Sequence, residues 1–350
     1  MNKVVYSILL FLLISCSNKP ENDDKEKIIL ERIEYIYNLR DLINDSIWNG
    51  VSDIDFDLPL IYYTDTACYI TNPTEKIIAL FQANLFFKNE NLKIYKTYLI
   101  DEFPFHMETS IEFGNDTISY NFQSPVMNCS SVEITKQTIP DVNSTELWST
   151  MVLHEYFHGF QFKHLPYQTY IKSAISNFSQ DSLKSIYKSN DWFQESVDKE
   201  NILLLKALSS NNSEEIIQLI DSILITRDKR RNETMTKLNI DISEIENIYE
   251  TMEGSARYVE FSLYKLFANG IMNSNDIKSD TLFKNYDYFK NFELENEEWL
   301  YLTEKTTYYY ATGFNTIRLL DKLNLEYKIR LFKEEKLTLE NILEEYKNKR

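Results

Sequence analysis

Positive charge is what this chain most lacks. Its 350 residues carry 37 Lys and Arg against 54 Asp and Glu, a formal net charge of −17. Holding a phosphate backbone needs a basic surface, so this balance argues against nucleic acid as a partner. Cysteine is scarce, with three in all, and none stands in a C-x-x-C or other metal-ligand spacing. Cys68 and Cys129 remain as a pair, which admits a disulfide in an exported chain or two buried thiols. The N-terminal apolar run, Val4 to Ile14, is too short to cross a bilayer as a mature helix. Histidine is nearly as rare: His106, His154, His158 and His164 are the only four.

Two of those four define the stretch Thr150 to Gln161, TMVLHEYFHGFQ. Within it, His154-Glu155-x-x-His158 puts two imidazoles four residues apart, on one face of a helix, where both can reach one metal ion. Glu155 then sits beside a water polarised by that ion and can take its proton. In a chain this poor in histidine the pattern should arise by chance well under ~1% of the time. The competing reading is a pair of core histidines, each satisfied by a backbone carbonyl.

The N-terminus carries a second signal. Lys3 precedes the apolar run, and Leu13-Ile14-Ser15-Cys16 resembles a bacterial lipobox. The resemblance implies a signal peptide over residues 1–15 and a lipid on Cys16, the first mature residue. Ser17 is not an inner-membrane retention residue by the enterobacterial rule. An exported lipoprotein is implied, anchored by Cys16 to the outer membrane and facing the periplasm or the surface. The same run also reads as an ordinary secretory signal or a short membrane anchor. Residues 16–27 are polar and acidic and read as a flexible tether.

Periodicity divides the rest into two lobes. Residues 28–140 form an α+β lobe. Lys27 to Trp48 has helical spacing, and Leu58 to Thr71 reads as a strand or hairpin. Ile77 to Phe87 fits helix or strand. Strands are expected at Leu92 to Ile100, Thr109 to Phe113, Thr117 to Phe122 and Ser130 to Thr138, with a turn at Gly114-Asn115-Asp116. Residues 141–350 form a mainly helical lobe. Asn143, with Glu146 three residues on, is placed to cap the helix that carries the two histidines and ends near His164-Leu165-Pro166. Gly159 marks a close approach there. Helices follow at 171–187, 192–208 and 213–231. Ser243-x-x-Glu246 reads as a capping box for a helix ending at Asn269-Gly270, and further helices are expected at 306–323 and 337–349.

Two histidines need a third protein ligand. His164 lies six residues after His158 and points away from the pair on a helix, although it fits the last position of an H-E-x-x-H-x-x-x-x-x-H pattern. His106 is isolated. Glu253 is the better candidate. It shares a helical face with Glu246, Glu250, Arg257 and Glu260, which also reads as a solvated stripe. Yet Gly254 would cost an exposed helix roughly 1 kcal/mol against Ala. Small residues beside a carboxylate make sense where the helix packs closely and the carboxylate points inward.

HEYFH followed by Glu253-Gly254-Ser255-Ala256, and then by Tyr310-Ala311-Thr312-Gly313 with Arg318, resembles the gluzincin zinc metallopeptidases, in particular the aminopeptidase N and leukotriene A4 hydrolase family. The resemblance implies one zinc ion held by His154, His158 and Glu253, with Glu155 as general base and Tyr310 as oxyanion donor. Tyr308 and Tyr309 stand too close in sequence to be separated from Tyr310. Glu250 and Glu246 are candidates for orienting an imidazole. It implies peptide or protein substrates. It also implies an α+β fold with a small strand-rich N-terminal part and a mostly α-helical, thermolysin-like catalytic part. Ninety-four residues separate His158 from Glu253, several-fold more than in that family, so residues 165–240 form a helical insertion over or beside the cleft. The family's G-x-M-E-N segment is absent. Ser124 to Cys129 stands at a similar distance upstream and is the candidate substrate-lining edge strand. The rival reading is a catalytically inactive surface lipoprotein of the same fold that binds peptides or glycans. The presence of all five of His154, Glu155, His158, Glu253 and Tyr310 speaks against a decayed enzyme.

Overall fold

Alternating β-branched and aromatic residues build the N-terminal part. The computed structural model of the chain describes residues 19–99, 103–110, 125–175, 178–271, 277–293 and 305–349. Among these, the strands are β1 (Leu60–Tyr63), β2 (Cys68–Thr71), β3 (Asn84–Lys88), β4 (Lys93–Thr97), β5 (Met107–Ser110) and β6 (Val126–Ser130). They form one sheet in the order β3-β4-β2-β1-β6-β5. Only the β1–β6 pair is parallel. One face meets α1 (Lys19–Ser46) and α4 (Thr145–Lys163) in the main core, and the other closes with α2 (Glu75–Phe81) over a smaller cluster. This arrangement settles the cysteines. Cys68 pairs with Tyr63 and Cys129 with the adjacent Tyr62. Neighbouring residues of a strand face opposite sides, so the two free, buried thiols point into different clusters.

Four local expectations change. Residues 19–27 are helical rather than a loose tether, and Glu26 already pairs with Lys96 at 2.6 Å. Ser130 to Thr138 is not a strand: β6 stops at Ser130, and Ser131 caps helix α3 (Val132–Thr138) by accepting the Ile134 amide. Val126–Ser130 is not an edge strand, because β6 lies between β1 and β5; among the described residues β5 holds the edge. Ile77 to Phe87 is helix and then strand, α2 and β3, divided by a left-handed Gln82. The expected strand at 117–122, its turn at 114–116 and the segment around Cys16 lie outside the described residues.

The second lobe is helical: α5 (Leu165–Ile175), α6 (Gln180–Ser189), α7 (Asp191–Ser209), α8 (Ser213–Leu238), α9 (Ser243–Ala268), α10 (Tyr309–Lys322) and α11 (Leu339–Asn348). Among the described residues no helix is long and apolar enough to cross a membrane. Helix α4 is buried along nearly all its length. Its cap is Ser144 rather than Asn143, and Glu146 accepts the Lys284 and Tyr286 amides at 2.9 Å instead of closing a capping box. The Ser243–Glu246 box is also absent. Asp241 accepts the Ser243 amide at 2.9 Å, and Glu246 is drawn elsewhere.

That elsewhere is a buried ion network. Arg227, Arg230 and Arg231 of α8 face Glu200 of α7, Glu246 and Glu250 of α9, and Glu340 of α11, at N–O distances of 2.6–3.0 Å. Tyr308 donates to Glu246 at 2.7 Å, and Thr312 donates to Glu250. Four carboxylates against three guanidiniums leave one negative charge in excess. Burial accordingly lifts the Glu250 carboxyl to about 8 despite the pull of Arg227. Helices α7 and α8 are thus tied by charge to the helix that bears Glu253.

Two substitutions separate the members of this network. Arg227→Met leaves buried carboxylates uncompensated and should cost ~3–5 kcal/mol in urea unfolding. Glu250→Gln imitates the protonated form and should cost no more than ~1 kcal/mol at neutral pH. Equal costs would contradict the charge count.

Candidate metal centre

Helix α4 presents His154 and His158 with ring centroids 5.0 Å apart, set edge to face. Helix α9 lies against α4 and brings Glu253 to them. Its Oε2 is 3.3 Å from His158 Nε2 and 3.7 Å from His154 Nε2, and one ligand atom from each residue lies within 4.8 Å of the others. All three residues are buried, and Glu253 Oε2 has no hydrogen-bond partner. Most N–H···O hydrogen bonds are shorter than these contacts. Ligand atoms ~2.05 Å from a tetrahedral ion sit ~3.3 Å from each other. The donor set, two imidazole nitrogens and a carboxylate oxygen brought together, could therefore hold one metal ion.

Glycine explains why the helices come so near. A Cβ on Gly254 would lie 2.5 Å from Gly313 Cα, and a Cβ on Gly313 would lie 2.2 Å from the Glu250 carbonyl oxygen. The backbones of α9 and α10 touch at this crossing, which sets Tyr310 above the site. Gly159 has a similar reason, since a Cβ there would lie 2.6 Å from a Leu58 methyl. On the α4 side, Gln161 stitches the two helices together. Its Nε2 donates to the Met252 carbonyl at 2.9 Å and to Ser255 Oγ at 2.8 Å.

The residues beside the imidazoles are not those expected. His158 Nδ1 is hydrogen-bonded to Gln161 Oε1 at 3.0 Å, and His154 Nδ1 is in ion-pair contact with Glu260 Oε2 at 3.2 Å, outside hydrogen-bond geometry. Arg257 donates to Glu260 at 3.0 Å. Glu246 and Glu250 are not imidazole partners; both carboxylates belong to the arginine network. Two signals were available in the sequence. Gln161 is one turn after His158, and Glu260 is two turns after Glu253.

The structure also sorts the other candidates. His164 is not a ligand: its Nδ1 meets the Phe160 carbonyl at 2.9 Å and its ring stacks on Phe56, 4.4 Å between centroids. The H-E-x-x-H-x-x-x-x-x-H reading falls with it. His106 stacks on Tyr63 at 4.1 Å. Tyr308 belongs to Glu246, and Tyr309 is buried against Tyr249 at 5.3 Å. Tyr310 alone of the three is partly exposed, and it lies nearly parallel to the His154 ring at 6.1 Å. Arg318 donates to Asn315 at 3.2 Å and covers the Phe314 ring. Arg257 is the guanidinium over Tyr310, 5.2 Å from its ring centre.

Electrostatics follow from this packing. Burial disfavours protonation of His154, but Glu253 and Glu260 overcome it and lift the imidazole to about 9. Burial would raise Glu253, yet the charges of His158 and His154 hold it well below the usual carboxylate range. Burial pushes Glu155 up, with the two histidines opposing. Burial and then the Glu253 charge push the Tyr310 hydroxyl far up, so it stays a donor. The Glu155 carbonyl accepts from Thr109 of β5, which locks the sheet edge to α4.

No protein-family model, curated protein or solved structure matches the chain. What the structure gives is an α+β chain with a buried cluster of two histidines and one glutamate that could hold a metal ion.

Because His154 holds its proton up to about 9 in the ion-free chain, a metal must displace it. Apparent zinc affinity should rise with pH and level off near that value, with proton release visible by calorimetry in buffers of different ionisation enthalpy. A flat affinity between about pH 6 and 9 would contradict the site. Glu260→Gln should weaken zinc binding ~10–100-fold in a chelator competition, while the fold persists by circular dichroism.

Proposed function

We propose that the chain is a zinc-dependent peptidase of the gluzincin type, exported and tethered by a lipid on Cys16. The observation that carries the enzymatic reading is the convergence of His154, His158 and Glu253, with Glu155 and Tyr310 beside them. Both histidines and Glu253 would hold the ion. When bound, zinc supplies Lewis acidity that brings the pKa of a water to around 7. The Glu155 carboxylate accepts a proton from the attacking water and returns it to the leaving amine, helped by a pKa that burial lifts toward the working range. The Tyr310 hydroxyl donates to the oxygen that becomes negative at the scissile carbonyl. Gln161 and Glu260 keep the imidazoles aimed. Strand β5, the edge strand among the described residues, is bound through Thr109 to the turn of α4 that carries Glu155 and is where an extended peptide would align.

Glu155→Gln should leave metal content unchanged and lower peptide hydrolysis by ~10²–10⁴-fold. Tyr310→Phe should lower kcat by ~10²–10³-fold with little change in KM. Undiminished hydrolysis in Glu155→Gln would remove the assigned role. A metal-bearing wild-type chain that hydrolyses no peptide in a diverse library would favour the inactive peptide- or glycan-binding reading.

A further inference from the structure

The sheet ends in apolar residues that the core does not use. Tyr98 is 75% exposed and Phe103 71%. Leu80, Leu85 and Leu99 are also large exposed hydrophobics. They belong to one end of the sheet. Leu85 is the second residue of β3 and pairs opposite Tyr95 of β4. Thr97 closes β4 and donates to the Phe81 carbonyl at the end of α2, next to Leu80. The Leu99 carbonyl accepts from Cys68 at the start of β2. Phe103 meets His106, which stacks on Tyr63 at the end of β1.

Helix α1 begins at this same end. Glu26 pairs with Lys96 on β4, whereas farther along Glu34 meets Asn89 in the β3–β4 turn and Tyr37 meets Thr71 at the far end of β2. The helix thus runs from the Tyr98 end of the sheet to the other. Lys19 is seven residues before Glu26, ~10 Å farther along the axis. Strand β4 stops at Thr97, whose hydroxyl accepts the Leu99 amide at 3.0 Å while the Leu99 carbonyl reaches Cys68, so Leu99 stays at the end of the sheet. The start of α1 therefore projects past this end. Cys16 is three residues before Lys19, a reach of at most ~10 Å.

We propose that this end of the sheet, Leu80, Leu85, Tyr98, Leu99 and Phe103, is a bilayer-docking face that sets the body's orientation on the membrane. The inference rests on the reading of Cys16 as lipidated. A lipid there holds the apolar end at the headgroup level, where aromatic and aliphatic side chains are stabilised. With a net charge of −17, attraction to anionic lipid contributes nothing to this docking, and apolar contact carries it. Because α1 already begins at Lys19, only three residues separate it from Cys16, which keeps the face near the bilayer.

The test uses the full lipidated chain in phosphatidylcholine vesicles containing a nitroxide lipid. A fluorophore is placed on Tyr98→Cys or, in a separate protein, on Ile329→Cys. Ile329 is 68% exposed. It follows Lys328, which donates to the Ile47 carbonyl just past the C-terminal end of α1. Lipid quenching at position 98 should exceed that at 329 by at least ~5-fold, and changing both Leu99 and Phe103 to Glu should reduce it. Mass spectrometry of the N-terminal peptide reports lipidation separately. A lipidated chain with no quenching at 98 overturns the docking face and leaves the anchor reading intact. An unlipidated Cys16 overturns the anchor reading and the inference with it. Protection of the 98 label from aqueous iodide without lipid quenching assigns the face to a second copy or another protein, which also overturns it.

Discussion

The contact between Gly254 and Gly313 is the constraint on which the rest of the site depends. Two helices can meet backbone to backbone only where both lack a side chain, and here a Cβ on either residue would collide with the other helix. That contact fixes α10 against α9, and with it the position of Tyr310 over His154 and of Thr312 and Tyr308 over Glu250 and Glu246. On its other side α9 is held to α4 through Gln161, Met252 and Ser255. Glu253, the candidate third ligand, is thereby fixed by packing on both flanks, as a preorganised site requires.

Helix α9 shows how one acidic stripe serves two purposes. Glu246, Glu250, Glu253 and Glu260 share a face of the helix, but they are divided along its axis. The N-terminal pair meets the arginines of α8, and the C-terminal pair meets the imidazoles of α4. Each carboxylate is buried, and each is matched by a cation or by a ligand position, which is the only way such charges persist in an interior. The long segment between His158 and Glu253 supplies the three arginines. Its structural contribution is to neutralise the helix that bears the third ligand.

Much of this was legible in the sequence, and the failures have physical causes. The two histidines, Glu155 and Glu253 could be found because metal-ligand spacing and costly small residues are local signals. Most helices after residue 141 followed from their apolar periodicity, but the one expected at 171–187 is two, Leu165–Ile175 and Gln180–Ser189, and the one expected at 213–231 runs on to Leu238. The partners of the imidazoles were misassigned because a helical wheel shows angle and hides position along the axis, so Glu246 and Glu250 looked equivalent to Glu260. The arginines of α8 gave no signal of their burial, since nothing in their own helix reveals four carboxylates from other elements. Ser130 to Thr138 alternates like a strand, but a single serine cap at Ser131 outweighed the alternation. Which of the three consecutive tyrosines faces the histidines depends on the helix crossing, which the sequence does not display.

We propose that His154, His158 and Glu253 bind one ion as a set, and X-ray absorption at the zinc edge on the purified lipidated chain is the decisive measurement. One zinc per chain is expected, with two imidazole nitrogens and at least one oxygen at ~2.0–2.2 Å, and loss of one imidazole from that shell in His158→Ala. Sulfur in the shell, or an unchanged spectrum in His158→Ala, would contradict it.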